Sequence, residues 1–400
     1  MATAAATETR SQTFLILTAF FSFVVMGMTV STPNVVWDPA MLTTFNLGLA
    51  DIGGYLLAQT AGYFITSLMG GRLFVRFNPG VLLATACTLS AIGLGLLSIA
   101  PAWWMVILCA GFFGLNMGIQ DTGLNIIFAA RYDARRMNWL HACFGVGATI
   151  APLIATRLIA DGAGWRPVYI MIASLYVAAA VFFFVTRDGW HLAPTAQDNK
   201  PKQTASLRAT LRLPIVWIGI GLFVALVTLE AATGQWASSL LQARGADEVT
   251  AGTWVGWYWL SFTIGRILFG ILDLKFNLDR QLFGMGVGAL AGVALLTWSP
   301  LLWLDLVALL LIGFSIAPMF PTMMTRTQTR LGTLHAPNAI GIQVAAAALS
   351  IGVMPTIAGV LAENLGLEVV PVYLLSLAVL YIVLMLVVMR IKFSQPAISD

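Results

Sequence analysis

Apolar runs of about twenty residues recur along the whole chain, each closed by a short polar or basic stretch. The pattern predicts spanning helices at 13–36, 51–72, 80–100, 104–130, 138–160, 166–186, 214–242, 250–272, 282–299, 302–325, 337–362 and 368–390. About 20 residues rising ~1.5 Å each cross a ~30 Å hydrocarbon layer. The longest hydrophilic run, Arg187 to Pro214, holds Asp188, Asp198, Lys200, Pro201 and Lys202 and cannot bury a core. It divides the chain into a bundle of residues 1–190, a linker of 191–213 and a second bundle of 214–400. The expected fold is all-α, with twelve transmembrane helices in two six-helix bundles.

Composition agrees with the pattern. Apolar residues make up 59% and charged residues 10%, against roughly 45–50% and 25% in soluble domains. A net charge of +4 would suggest nucleic acid in a soluble chain, but here the basic residues cluster at helix ends. Of 21 Lys and Arg, only Arg157, Arg166 and Arg244 fall on the side opposite the termini. That bias places both termini in the cytoplasm of a cell inner (plasma) membrane protein and leaves nucleic acid out as a partner. The run Phe14 to Val36 lacks a cleavage site and is expected to stay as the first span. Cys87, Cys109 and Cys143 lie inside spans without metal-ligand spacing, so no metal or other cofactor is expected.

The two bundles echo each other. Pro152-Leu153-Ile154-Ala155 with Pro167-Val168-Tyr169 is matched by Pro355-Thr356-Ile357-Ala358 with Pro371-Val372-Tyr373. Gly71-Arg72-Leu73-Phe74 is matched by Gly265-Arg266-Ile267-Leu268-Phe269, and Asn138 by Asn338. Each pair joins span n to span n+6, which implies pseudo-symmetric bundles with a site between them near the membrane midplane.

Twelve spans, a central basic linker and this repeat resemble the major facilitator superfamily. Gly118-Ile119-Gln120-Asp121-Thr122-Gly123-Leu124-Asn125 in span four, then Asn138-Trp139-Leu140-His141-Ala142-Cys143-Phe144-Gly145 in span five, resemble its fucose permease-like branch of sugar and proton symporters. So does Gly341-Ile342-Gln343-Val344-Ala345 in span eleven. The resemblance implies alternating access and a gate of charged residues at the cytoplasmic loops, here Arg72 and Arg76 in one half and Arg266 and Asp273 in the other. Two departures stand out: Val75 replaces the acid of the loop between spans two and three, and span one, taken as 13–36, has no acid.

Asp121 lies about ten residues before Arg131, hence ~15 Å from the basic edge, halfway through the hydrocarbon. A charged acid there must face protein or water. It is the first candidate for proton coupling and for accepting hydrogen bonds from substrate; a helix-packing acid bonded to His141 is the alternative. Glu230 is the second intramembrane acid, assigned to coupling and substrate binding, or else to a broken segment near Gly234. His141, near the cytoplasmic end of span five, is assigned to proton release or to fixing the turn before it. A sugar site needs aromatic faces with amide and carboxylate edges, for which Gln120, Asn125, Gln235, Trp236, Trp254, Trp257, Tyr258 and Gln343 are candidates.

The expected protein is therefore a monomeric permease, not an enzyme. Lipid, protons and a small polar solute, a sugar or polyol, are its partners. No Walker-type loop is present, and His141, His191 and His335 form no HExxH. Its energy would come from an ion gradient. The alternatives are a proton-driven drug or metabolite exporter, disfavoured because Ala151 rather than Gly precedes Pro152, and an organic-anion carrier, which would need cavity cations beyond Arg157.

Overall fold

The computed structural model describes residues 2–132, 134–190, 205–271 and 277–391, with the side chains of 2–11, 71, 134, 135, 270, 271 and 333 left aside. The described residues are helical almost throughout. The long helices are α1 (Ala2–Ser31), α2 (Ile52–Arg76), α3 (Pro79–Ser98), α4 (Trp103–Arg131), α5 (Ala134–Ala160), α6 (Arg166–Val185), α7 (Pro214–Ala243), α8 (Glu248–Ile271), α9 (Leu278–Thr297), α10 (Leu302–Ile316), α11 (Met319–Leu365) and α12 (Val369–Arg390). Positive φ at Gly332 kinks α11, so α10 with the first part of α11 forms one candidate span, Leu302–Gly332, and Leu334–Leu365 another.

Among the described residues, 10 helical segments are long and apolar enough to cross a membrane. The two expected spans outside that set are α2 and α8. Gln59, Thr60, Tyr63, Thr66 and Ser67 dilute the first; Thr253, Ser261, Thr263 and Arg266 dilute the second. These polar side chains are where the sites described below are built. The first span also differs from expectation. Helical structure resumes at Pro33, is kinked at Asp38, whose backbone is extended (φ −118°, ψ 124°), and continues to Phe45, giving a candidate span Gln12–Phe45 that contains Asp38. The expected first span stops at Val36, short of Asp38; Pro33 and Pro39 each stand at the start of a helical turn, where a missing N–H had no partner to lose.

The chain forms two compact units, one of Met1–Ala193 with Ala237–Leu260 and one of Pro194–Trp236 with Ser261–Asp400. In the first, α1 pairs with α5, α2 with α4, and α3 with α4 and α6. Glycine makes the first two pairings close. A Cβ at Gly147 would sit 1.9 Å from the Val24 carbonyl oxygen of α1, and one at Gly114 would sit 2.0 Å from the Gln59 carbonyl oxygen of α2. Backbone contact of this kind is how helices associate where lipid removes the hydrophobic incentive. The outer residues of α7 and α8 belong to the same unit. Gln242 Nε2 donates to the Asp38 carbonyl at 3.2 Å, Ser239 hydrogen-bonds the Asp38 carboxylate, and Gly252 leaves room for Thr156 of α5. Asp247 caps α8, accepting from the amide of Thr250 at 2.9 Å and its hydroxyl at 2.6 Å, which holds this loop carboxyl below the ordinary range.

In the second unit α9 lies between α10 and α12. The segment before α7 is tied to the start of the second half of α11: Asn338 Nδ2 donates to the Ala205 carbonyl at 2.7 Å, and Thr210 Oγ1 meets His335 Nδ1 at 3.1 Å.

Gly147→Ala should lower stability by about 1–3 kcal/mol, since the intruding methyl meets backbone that cannot step aside. The measurement is the melting temperature of the purified variant in detergent; an unchanged value would mean α1 and α5 do not touch there.

Candidate functional site

Asp121 sits on α4 with both carboxylate oxygens engaged. Tyr63 of α2 donates its hydroxyl to Oδ2 at 2.9 Å, and Asn125, one turn further along α4, donates its amide nitrogen to Oδ1 at 2.9 Å. The Asn125 carbonyl oxygen lies 3.1 Å from Nε2 of His141 on α5. Because the Asn125 nitrogen faces a carboxylate, its oxygen must face the imidazole, and His141 is the donor in that contact. His141 also meets the ring of Phe23 on α1 edge to face, centroids 5.7 Å apart. Four helices thus converge on a continuous chain of polar groups, Tyr63–Asp121–Asn125–His141, all half-buried.

Sequence spacing found three of these four. Asp121 and Asn125 share a face at i, i+4, and His141 follows a short basic turn. Tyr63 was missed, since nothing local marks α2 as the neighbour of α4; the signal was the matching small residues, Gly62 on α2 and Gly114 and Gly118 on α4. Asp38 was missed because span one was ended before it.

The other substrate candidates divide between packing and open positions. Gln120 is fully buried and accepts from Asn116 Nδ2 at 3.2 Å. Trp236 is buried and donates to the Pro355 carbonyl at 2.9 Å; Gln343 is buried, accepts from Thr327 at 2.9 Å and presses on Gly219. Tyr258 is fully buried against Trp259. Trp254 is half-buried and Trp257 exposed, while the buried Gln235 leaves Nε2 without a hydrogen bond. Asp121, Asn125, Gln120, Trp254, Trp257 and Tyr258 lie in the first unit, and Glu230, Gln235, Trp236 and Gln343 in the second.

Arg72 and Arg76 are exposed at the end of α2, whereas their counterpart Arg266 is half-buried. It donates Nε to the Ala317 carbonyl at 3.2 Å, lies over the Phe262 ring at 4.4 Å and is within electrostatic reach of Glu230 on α7. Asp273 falls outside the described residues. The ion pairing visible in this half centres instead on Asp279 in the first turn of α9. Arg326 grips it with two bonds, Nε to Oδ1 at 2.8 Å and Nη2 to Oδ2 at 2.5 Å, and Arg330 adds a short bond to Oδ1. Such a fork holds a carboxylate in one orientation.

Long apolar helices around a partnered intramembrane acid define a multi-pass membrane protein of the kind that carries solutes. The sequence profile described as Major Facilitator Superfamily matches residues 19–342. This chain belongs to that superfamily and has its transporter fold. Among curated relatives, "Bypass of stop codon protein 6" of Saccharomyces cerevisiae is 23% identical over 89% of this chain and 78% of its own. "Glucose/mannose transporter GlcP" of Bacillus subtilis is 24% identical over 78% of this chain and 79% of its own. Among solved structures, a mutant of the nucleoside transporter NupG superposes with a TM-score of 0.74 at 14% identity, covering 95% of this chain and 99% of that one. At that identity the likeness speaks for the fold alone.

Asp279→Ala would strand Arg330, whose side chain is 8% exposed, without its counter-charge. Loss of one partner of a buried pair costs about 3 kcal/mol or more, so thermal unfolding should drop clearly and activity fall with it. A variant as stable as wild type would show that solvent already neutralises the arginine.

Proposed function

We propose that this chain is a proton-coupled permease importing a small polar solute, a sugar or polyol, with Asp121 as the proton carrier. The observation that carries the reading is the Asp121 carboxylate itself, held mid-helix between a phenol and an amide that is in turn bonded to a histidine. An acid so placed changes its hydrogen-bond partners on protonation, which is what coupling requires. A relative named for glucose and mannose supports the solute class. So do the half-buried Trp254, the exposed Trp257 and Gln235, whose buried Nε2 has no hydrogen-bond partner.

The proposed topology has twelve crossings with both termini cytoplasmic, and residues 1–190 rock against 214–400 about the 191–213 linker. The distribution of Lys and Arg supports that orientation. Glu230 and Arg266 form the opposing polar pair of the second half. Arg72, Arg76, Arg266 and Asp273 are the gating candidates. For Arg72 and Arg76 the exposed position at the end of α2 is what supports that role.

In proteoliposomes with an inward proton-motive force, one coupled charge supports roughly fifty-fold accumulation per 100 mV. For glucose or mannose, Asp121→Asn should reduce accumulation to equality across the membrane while counterflow exchange persists. Wild-type accumulation by that variant would remove Asp121 from the mechanism. For Glu230→Gln, loss of a hydrogen bond involving a charge should weaken apparent affinity about tenfold; unchanged affinity and pH dependence would make Glu230 architectural.

A further inference from the structure

The two oxygens of Asp121 are not equivalent. Oδ1 faces the Asn125 nitrogen at 2.9 Å, and for that amide to turn its oxygen to a protonated Oδ1 its NH2 would have to face His141 Nε2, 3.1 Å away, so that the imidazole must first move its N–H to Nδ1. A proton arriving on Oδ1 would meet the Asn125 donor until both the amide and the imidazole had rearranged. Oδ2 faces the Tyr63 hydroxyl at 2.9 Å. A hydroxyl both donates and accepts, and it exchanges the two roles by turning about its C–O bond.

When the carboxylate is charged, the phenol donates to it. When Oδ2 carries a proton, that O–H can donate to the phenol oxygen, provided the phenol hydrogen finds a second acceptor. Ser67 supplies one. It lies one turn beyond Tyr63 on α2, with its hydroxyl beside the phenol. The same oxygen is 3.0 Å from where a Cβ at Gly118 would stand, one turn before Asp121 on α4. It is buried and makes no full hydrogen bond. Burying a hydroxyl without a partner is costly, and a role as waiting acceptor accounts for its position.

We infer that Asp121 takes up its proton on Oδ2 and that Tyr63 and Ser67 are positioning residues, a hydroxyl pair whose reversal sets how readily it does so. The inference rests on Asp121 being the proton carrier of the proposed cycle. One O–H bond forms, on Oδ2, as one O–H bond of a hydronium ion breaks and leaves water behind; the phenol and serine hydroxyls only rotate. Among the titratable groups turned toward Asp121 are Tyr63 from α2 and, through Asn125, His141 from α5. α3, which also packs on α4, carries no charged residue.

The test needs no substrate. Infrared difference spectra of purified wild type and variants, taken across a pH titration, follow the carboxylic acid carbonyl band that Asp121→Asn deletes. Tyr63→Phe removes a charge-assisted bond to the anion, stronger than the neutral bond that replaces it on protonation, so the midpoint should rise by about one pH unit. Ser67→Ala removes the acceptor of the turned phenol and disfavours the acid form, so the midpoint should fall by about half a unit or more. Opposite displacements are the expected result. Midpoints that stay at the wild-type value, or that move together, would overturn the hydroxyl pair while leaving Asp121 as carrier. A wild-type spectrum with no titrating band lost in Asp121→Asn would overturn the carrier assignment as well.

Discussion

A carboxylate inside hydrocarbon persists only where protein donors replace the water it has given up. The first compact unit is arranged to meet that requirement at Asp121. α2 and α4 touch backbone to backbone at Gly114, which brings the Tyr63 phenol within 2.9 Å, and the helix period of α4 places Asn125 on the other oxygen. His141 then fixes which way the amide points. Remove the glycine contact and the phenol is displaced; remove the phenol and the acid loses a partner that changes roles by turning one hydroxyl. Packing and chemistry are not separable here.

The second unit solves its charge problem differently. Asn78 caps α3 by accepting from the amides of Gly80 and Val81, and Asn277 caps α9 by accepting from that of Asp279. Aligned on these caps, Asp279 stands where the first half has Gly80. The acid draws Arg326 and Arg330 onto α9, whereas at Gly80 the space is taken by the backbone of Arg187. The same inherited turn therefore serves an ionic clamp in one half and a close backbone contact in the other. Arg266 shows a similar divergence from exposed Arg72, having turned inward toward Glu230 and Phe262.

What could be read in the sequence follows from how local each signal is. Helix positions were legible because apolar runs and their punctuation are local, and Asp121, Asn125 and His141 because helix spacing and one short turn connect them. Tyr63 and Ser67 were not legible, since their importance depends on which helix lies beside α2. Asp38 was hidden because the apolar run was ended at Val36, whereas helical structure is taken up again beyond the kink at Asp38 and continues to Phe45. Trp236 and Gln343 carry the polar edges that a ligand site needs, yet Pro355 and Thr327 already occupy those edges, while Gln120 gives its oxygen to Asn116 and keeps a buried Nε2 without a hydrogen bond. Composition identifies a polar group in a span; only tertiary structure says whether a neighbour has claimed it.

The glycine contacts between α2 and α4 carry a mechanical consequence. These two helices share the most extensive packing in the described structure, whereas α4 and α5 touch only slightly. Any displacement reaching Asp121 should leave its phenol attached and part the Asn125–His141 contact first. The weak seam, and so the point at which the polar chain would be interrupted during a stroke, lies on the histidine side.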